Sequence, residues 1–279
     1  MIGSRSLTLI GLGAIFALSA FGNLVVSVPG GTGAWYSWAS ADGITDGDDS
    51  FWDNASKDGT GCNVGFWLAS NDWDTLGGSC SNDVFQAGDS GPGKLDFFGN
   101  TSSANSPVGW QFQATGPNAD QYVTLRLEVA GWKSSNEFGW VDKNGVLHTL
   151  FSGATNPQAQ ATISVAAGDA FGFYICPNGD CSAGNIMFSN TDYAGGANDR
   201  AGKFALFSEA PQHPSAGSEI ETYWIGVEDT LGNDPVEGWG DFNDILISAT
   251  IVPEPGFYGL MGLGLAGIYW SVSRRRKKA

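Results

Sequence analysis

Histidine and basic residues are scarce in this sequence of 279 residues. It contains 2 His, and 13 Lys and Arg against 29 Asp and Glu, which gives a formal net charge of −16. Such an acidic chain repels nucleic acid, because binding to the phosphate backbone depends on Lys and Arg. We therefore exclude nucleic acid as a partner, and the charge favours solubility and binding of divalent cations.

The motifs of several common catalytic sites are also missing. The patterns H-E-x-x-H, G-x-x-x-x-G-K-[ST] and G-x-S-x-G do not occur. We therefore predict that the protein is not an enzyme. The alternative is an extracellular glycan-active enzyme or a carbohydrate-binding module, because a catalytic carboxylate pair is defined by its distance across a cleft and not by its spacing in the chain.

Residues 23–251 lack long apolar stretches with helical spacing, and short alternating segments separated by turn residues take their place. This pattern predicts an all-β fold, an antiparallel β-sandwich of jelly-roll type. Asn144 and Gly145 predict a hairpin between residues 138–142 and 146–151, and a second hairpin is predicted between 110–113 and 122–129. Further strands are predicted at residues 96–98, 161–165, 170–175, 204–207, 222–227 and 245–251.

The N-terminal residues 1–22 have the features of a signal peptide. Arg5 precedes an apolar segment at residues 7–20, and Ala20, Phe21 and Gly22 form a small-x-small cleavage site. The alternative is an uncleaved membrane helix. Excluding Arg5, Glu254 and the five basic residues at the C-terminus leaves 7 basic and 28 acidic residues, so the exported domain carries a net charge near −21.

Four cysteines in an exported chain indicate two disulfides, for which three pairings exist. Proximity in the sequence favours Cys62 with Cys80 and Cys176 with Cys181. Asn178 and Gly179 suit the tight turn that the second pair would close. Zinc is disfavoured, because the spacing does not match paired C-x₂-C and no His lies near either pair.

The C-terminal residues 252–279 form a tail of three parts. Val252, Pro253, Glu254 and Pro255 precede an uncharged apolar segment at residues 256–273. This segment has about the length of a helix that spans a ~30 Å hydrocarbon core, so we predict a transmembrane helix there. The basic residues 274–278 then keep the C-terminal end cytoplasmic, which places the folded domain outside.

This order of motif, span and basic end resembles the PEP-CTERM sorting signal, which is also catalogued as a C-terminal domain of ice-binding proteins. The resemblance implies an exosortase-type membrane enzyme as a partner. It also implies location at the cell envelope or surface, with the tail in the inner membrane before processing, and an association with extracellular polysaccharide. The alternative is a single-pass anchor that is never processed. Ice binding is disfavoured, because regularly spaced Thr ladders are absent.

Two groups of residues with carboxylate or amide side chains lie at the ends of predicted strands near the tail. Glu228 and Asp229 form the first group, and Asp241, Asn243 and Asp244 form the second. Ca²⁺ takes six to eight oxygen ligands of these types, so we predict a calcium site here. The alternative is that these acids cap turns and accept backbone N–H bonds.

Residues 223–247 also resemble the C-terminal strand pair of the DUF4114-type domain, with its Glu-Asp and Asp-Phe-Asn-Asp signatures. The chain departs from that family in the loop at residues 233–241, where one acidic residue is displaced. Taken together, the sequence predicts an exported, envelope-anchored, non-catalytic surface or matrix protein. We expect it to be stabilised by Ca²⁺ and to act in adhesion or in association with exopolysaccharide.

Overall fold

The structure is a computed structural model, and it describes part of the chain. The described residues are 23–29, 31–36, 64, 96–100, 108–115, 121–130, 135–152, 159–190, 203–208, 222–229, 242, 244–252, 262–270 and 273. Within these ranges most residues are in β-strands, and residues 262–270 are helical. The predicted signal peptide, Cys62, Cys80 and the motif residues Pro253, Glu254 and Pro255 lie outside them.

Thirteen strands occur among the described residues. They are β1 (Asn23–Ser27), β2 (Gly33–Tyr36), β3 (Asp96–Asn100), β4 (Gln111–Thr115), β5 (Gln121–Ala130), β6 (Glu137–Val141), β7 (Leu147–Ser152), β8 (Gln160–Val165), β9 (Ala170–Cys176), β10 (Met187–Phe188), β11 (Phe204–Ser208), β12 (Thr222–Val227) and β13 (Ile245–Val252). One sheet has the order β1-β4-β9-β6-β7, with β10 paired to β9. The other has the order β2-β3-β11-β12-β13-β5-β8, and the pairs in both sheets are antiparallel.

The two sheets face each other across one apolar core, so the predicted all-β sandwich is confirmed. Phe112 of the first sheet and Tyr223 of the second have ring centroids 4.7 Å apart. The Tyr223 hydroxyl donates a hydrogen bond to the Leu24 carbonyl at 2.9 Å, and Trp110 Nε1 donates to the Phe204 carbonyl at 3.3 Å. Both bonds cross between the sheets. Burial raises the pKa of Tyr223 and keeps this phenol neutral.

Six consecutive strands pair in a nested pattern. β6 pairs with β7, β5 with β8, and β4 with β9, as in one long hairpin. This hairpin is divided between the two sheets. The pairs β6–β7 and β4–β9 belong to the first sheet, and the pair β5–β8 belongs to the second. β6 then also pairs with β9, which completes the first sheet. β13 lies inside the second sheet, between β12 and β5.

One predicted hairpin is confirmed and the other is wrong. β6 and β7 pair across Asn144 and Gly145, and Gly145 has φ +78°, which favours glycine. β4 and β5 do not pair with each other and lie in different sheets. Alternation indicates that each strand has a buried face, and it does not indicate which sheet the strand joins. Phe112 of β4 and Val123 of β5 are both fully buried, and they fill the core from opposite sides.

The described part of the tail is the helix at residues 262–270. Its large apolar side chains are exposed, with values from 59% for Trp270 to 77% for Tyr269. Among the helices that the structure describes, none is both long and apolar enough to cross a bilayer. The transmembrane helix at residues 256–273 stays a prediction.

Candidate metal centre and sorting tail

Three of the predicted metal ligands lie where two neighbouring strands meet. Glu228 and Asp229 directly follow β12, and Asp244 directly precedes β13. Because β12 and β13 are antiparallel neighbours, the end of one strand and the start of the other lie at the same edge of the sheet. One carboxylate oxygen from each of Glu228, Asp229 and Asp244 lies within 4.8 Å of the others. We call these residues the carboxylate cluster.

Two hydrogen bonds donated by main-chain N–H groups hold the carboxylate cluster in place. The Asp229 N–H donates to Asp244 Oδ2 at 2.7 Å, and the Glu228 N–H donates to the Lys203 carbonyl at 3.0 Å. Glu228 is 1% exposed and Asp244 is 7% exposed, whereas Asp229 is half-buried. The cluster is therefore open to solvent mainly on the Asp229 side.

Phe242 helps to set the position of Asp244. It is fully buried and has φ +55°, which is uncommon for a bulky side chain. A Cβ atom added at Gly226 of β12 would lie 2.9 Å from the Phe242 carbonyl oxygen. Gly226 therefore allows the chain before β13 to lie directly on β12, and this close approach brings Asp244 to the cluster.

Sequence reasoning missed Asn136, which contacts the cluster from the other sheet. Asn136 directly precedes β6, is 6% exposed, and donates from Nδ2 to Asp229 Oδ2 at 2.6 Å. Its Oδ1 accepts the Asn178 N–H at 2.9 Å. Asn136 and Asp229 are 93 residues apart in the chain, and no motif connects them.

The charge of the cluster determines what it can do. Three carboxylates that close together repel one another, and burying each charge costs several kcal/mol unless a positive charge compensates. Lys203, whose main-chain carbonyl accepts the Glu228 N–H, is 2% exposed and is the nearest basic residue to the cluster along this hydrogen bond. A bound cation would supply compensating positive charge. The geometry suits cation binding by oxygen ligands.

The structure thus brings together Glu228, Asp229 and Asp244 as the sequence predicts. Asp241 and Asn243 lie outside the described residues. The alternative interpretation of these acids also has support, because Asp244 accepts a backbone N–H bond. The identity of the ion stays a prediction.

The disulfide between Cys176 and Cys181 is confirmed. It joins two cysteines that are five residues apart and encloses the 3₁₀ turn Pro177–Gly179. In this turn Asn178 has φ +55° and Gly179 has φ +70°. These positive φ values are those expected of Asn-Gly in a tight turn. Because both sulfurs are bonded to each other, this pair holds no zinc. We call residues 176–181 the disulfide loop.

A polar group lies beside the disulfide loop. The Tyr174 hydroxyl donates to Glu137 Oε1 at 2.8 Å, and the Thr149 hydroxyl donates to the same oxygen at 3.0 Å. Burial, followed by the hydrogen bond to the Glu137 carboxylate, raises the pKa of Tyr174 to about 12. This phenol therefore stays protonated at neutral pH and acts as a structural donor.

Comparison with known proteins gives one match, in the tail. Residues 252–276 match the PEP-CTERM protein-sorting motif. No curated protein and no solved structure matches the chain. The motif marks an exported protein that is anchored at a membrane before an exosortase, a membrane enzyme, processes it. Val252 is both the last residue of β13 and the first residue of the motif.

Proposed function

We propose that this protein is a non-catalytic surface or matrix protein whose exported β-sandwich is stabilised by Ca²⁺. The observation that carries the proposal is the convergence of Glu228, Asp229 and Asp244 at one edge of the second sheet. The sorting motif supports the location, because it marks an exported chain. The resemblance of residues 223–247 to the DUF4114-type strand pair is part of this proposal.

Calcium is the cation that the cluster suits best. Its three carboxylates are hard oxygen ligands of the kind that Ca²⁺ takes. Asp241 and Asn243, the other two ligands predicted from the sequence, belong to the proposal by their sequence position alone. Mg²⁺ prefers near-ideal octahedral geometry and keeps several waters, so it is a poorer match for a mostly buried group of carboxylates. A bound Ca²⁺ would join the end of β12 to the start of β13 and offset the negative charge of the cluster.

The role at the envelope follows from charge and location. A domain with a net charge near −21 binds divalent cations at its surface and can be joined by them to acidic polymers. We therefore assign the domain to adhesion or to association with extracellular polysaccharide. The link to polysaccharide comes from the resemblance of the tail to the PEP-CTERM signal, and the charge supplies a way to bind acidic polymers.

The first experiment titrates Ca²⁺ into the full chain, kept in solution with a non-ionic detergent. We expect the melting temperature to rise with Ca²⁺ concentration, because a ligand that binds only the folded state stabilises it by RT ln(1 + [L]/Kd), about 2.7 kcal/mol at 100 Kd. Mg²⁺ at equal concentration and ionic strength is the control, and we expect it to have a smaller effect. An unchanged melting temperature at millimolar Ca²⁺ would refute the calcium site.

A second experiment tests the non-catalytic assignment. The full chain is incubated with a panel of acidic and neutral glycans, and both retention on the glycan and release of reducing ends are measured. We expect Ca²⁺-dependent retention on acidic polysaccharide without release, because carboxylates on both partners can share the ion. Release of reducing ends would contradict the proposal and identify a glycan-active enzyme.

A further inference from the structure

The disulfide loop and the carboxylate cluster belong to different sheets, and they are joined by one side chain. The disulfide loop follows β9 of the first sheet, whereas the cluster lies between β12 and β13 of the second. Asn136 connects them, with its Oδ1 accepting from Asn178 in the loop and its Nδ2 donating to Asp229 in the cluster. The two contacts use both ends of one amide.

This connection fixes the orientation of Asp229. The carboxylate of Asp229 accepts from Asn136, and the main-chain N–H of Asp229 donates to Asp244. Asn136 in turn is oriented by the Asn178 N–H, because an amide that accepts at one end and donates at the other cannot rotate without losing both bonds. The position of Asn178 depends on a left-handed turn inside the disulfide loop.

The chemical state of the disulfide loop can change. Cys176 is fully buried in a small apolar cluster, but Cys181 is half-buried and residues 178–180 are exposed. A dithiol reductant can therefore approach the bond from the Cys181 side. Reduction would convert the S–S bond into two thiols with two electrons and two protons from the dithiol, which itself becomes a disulfide. The turn would then lose its covalent closure.

We infer that the disulfide loop, acting through Asn136, positions Asp229 for cation binding, so that the redox state of Cys176 and Cys181 sets the affinity of the carboxylate cluster for Ca²⁺. This inference rests on the proposed calcium site. Asn136 is a positioning residue, because its amide orients a ligand. Residues that orient metal ligands in this way typically change metal affinity about 10–100-fold when they are removed.

The coupling between disulfide closure and Ca²⁺ binding acts in both directions, because the two equilibria are thermodynamically linked. If closure of the disulfide raises the Ca²⁺ affinity by a given factor, Ca²⁺ must stabilise the disulfide against reduction by the same factor. A site of this kind would hold Ca²⁺ tightly in the oxidising environment outside the cell and weakly where thiols are reduced.

The test measures the Kd for Ca²⁺ by calorimetry on the full chain in detergent, well below the melting temperature. The variants are Cys176→Ala with Cys181→Ala, Asn136→Ala, and all three changes combined. Cys62→Ala with Cys80→Ala is the matched control. We expect the Kd to rise about 10-fold in each of the first two variants and still only about 10-fold in the combined one, because both act through one connection. The control should bind as the unmodified chain does.

A second measurement on the unmodified chain applies even if a variant fails to fold. The fraction of reduced Cys176 and Cys181 is followed by thiol alkylation and peptide mass over a range of dithiol to disulfide ratios, with Ca²⁺ or with a chelator. We expect that reducing half of the disulfide in the presence of Ca²⁺ requires a ratio of dithiol to disulfide about 10-fold higher than in the presence of the chelator.

The outcomes separate the two proposals. Failure of the unmodified chain to bind Ca²⁺ overturns the calcium site and this inference together. Equal binding by the unmodified chain and the Cys176 and Cys181 variant overturns the inference alone. A rise of about 100-fold in the combined variant also overturns it, because additive effects mean that the disulfide loop does not act through Asn136.

Discussion

Phe112→Ala is expected to lower the free energy of unfolding by about 3–5 kcal/mol, the usual cost of truncating a buried aromatic side chain. Phe112 is fully buried, and its ring centroid lies 4.7 Å from that of Tyr223, 5.2 Å from that of Trp110 and 5.5 Å from that of Phe171. These rings come from both sheets, so the cavity would lie at the centre of the sandwich. Chemical denaturation of the full chain in detergent measures the change.

Two further variants make the Phe112 result interpretable. Phe112→Leu keeps part of the volume and should lose less stability than Phe112→Ala. Val146→Ala, at a side chain that is 51% exposed, should stay within about 0.5 kcal/mol of the unmodified chain. A loss below about 1 kcal/mol for Phe112→Ala would mean that the two sheets do not share this core.

Asp244→Asn is expected to abolish the stabilisation by Ca²⁺, a loss of about 2.7 kcal/mol at an ion concentration 100 times the original Kd. In the presence of a chelator the same variant should be as stable as the unmodified chain or more stable. The amide oxygen can still accept the Asp229 N–H, while one of three mutually repelling charges is removed. Thermal melting with Ca²⁺ and with chelator measures both effects.

Asp169→Asn is the matched control for Asp244→Asn. It removes one negative charge from a surface ion pair with Lys143, whose N–O distance is 2.8 Å, and leaves the carboxylate cluster intact. Its response to Ca²⁺ should equal that of the unmodified chain. If Asp244→Asn and Asp169→Asn respond to Ca²⁺ alike, the acids of the cluster are turn caps and not ligands.

Much of the fold could be predicted from local patterns. Apolar and polar residues alternate in residues 122–129, which places Val123 and Leu125 on one face, and both are buried. Asn-Gly correctly predicted the turn between β6 and β7. The pairing of β4 with β5 was wrong, because alternation indicates which face is buried and does not indicate which sheet a strand joins. The jelly-roll assignment stays a prediction, although the nested pairing of β4 to β9 agrees with a rolled hairpin.

The candidate site was predictable only where its residues flank adjacent strands. Glu228, Asp229 and Asp244 lie at the ends of two consecutive strands, so antiparallel pairing alone brings them together. Asn136 comes from the other sheet, and its contact with Asp229 depends on how the two sheets pack. Such a contact has no periodicity or spacing that a sequence could reveal.

The position of β13 has a mechanical consequence. This strand is paired on both sides, to β12 and β5, and it runs into the sorting motif without a linker. A pull on the tail would act along the strand, at right angles to its interstrand hydrogen bonds, and would load them together in shear instead of opening them one by one. We expect the force at which the sandwich yields to be set by the unfolding rate of this interior strand, which makes β13 the mechanical anchor of the domain.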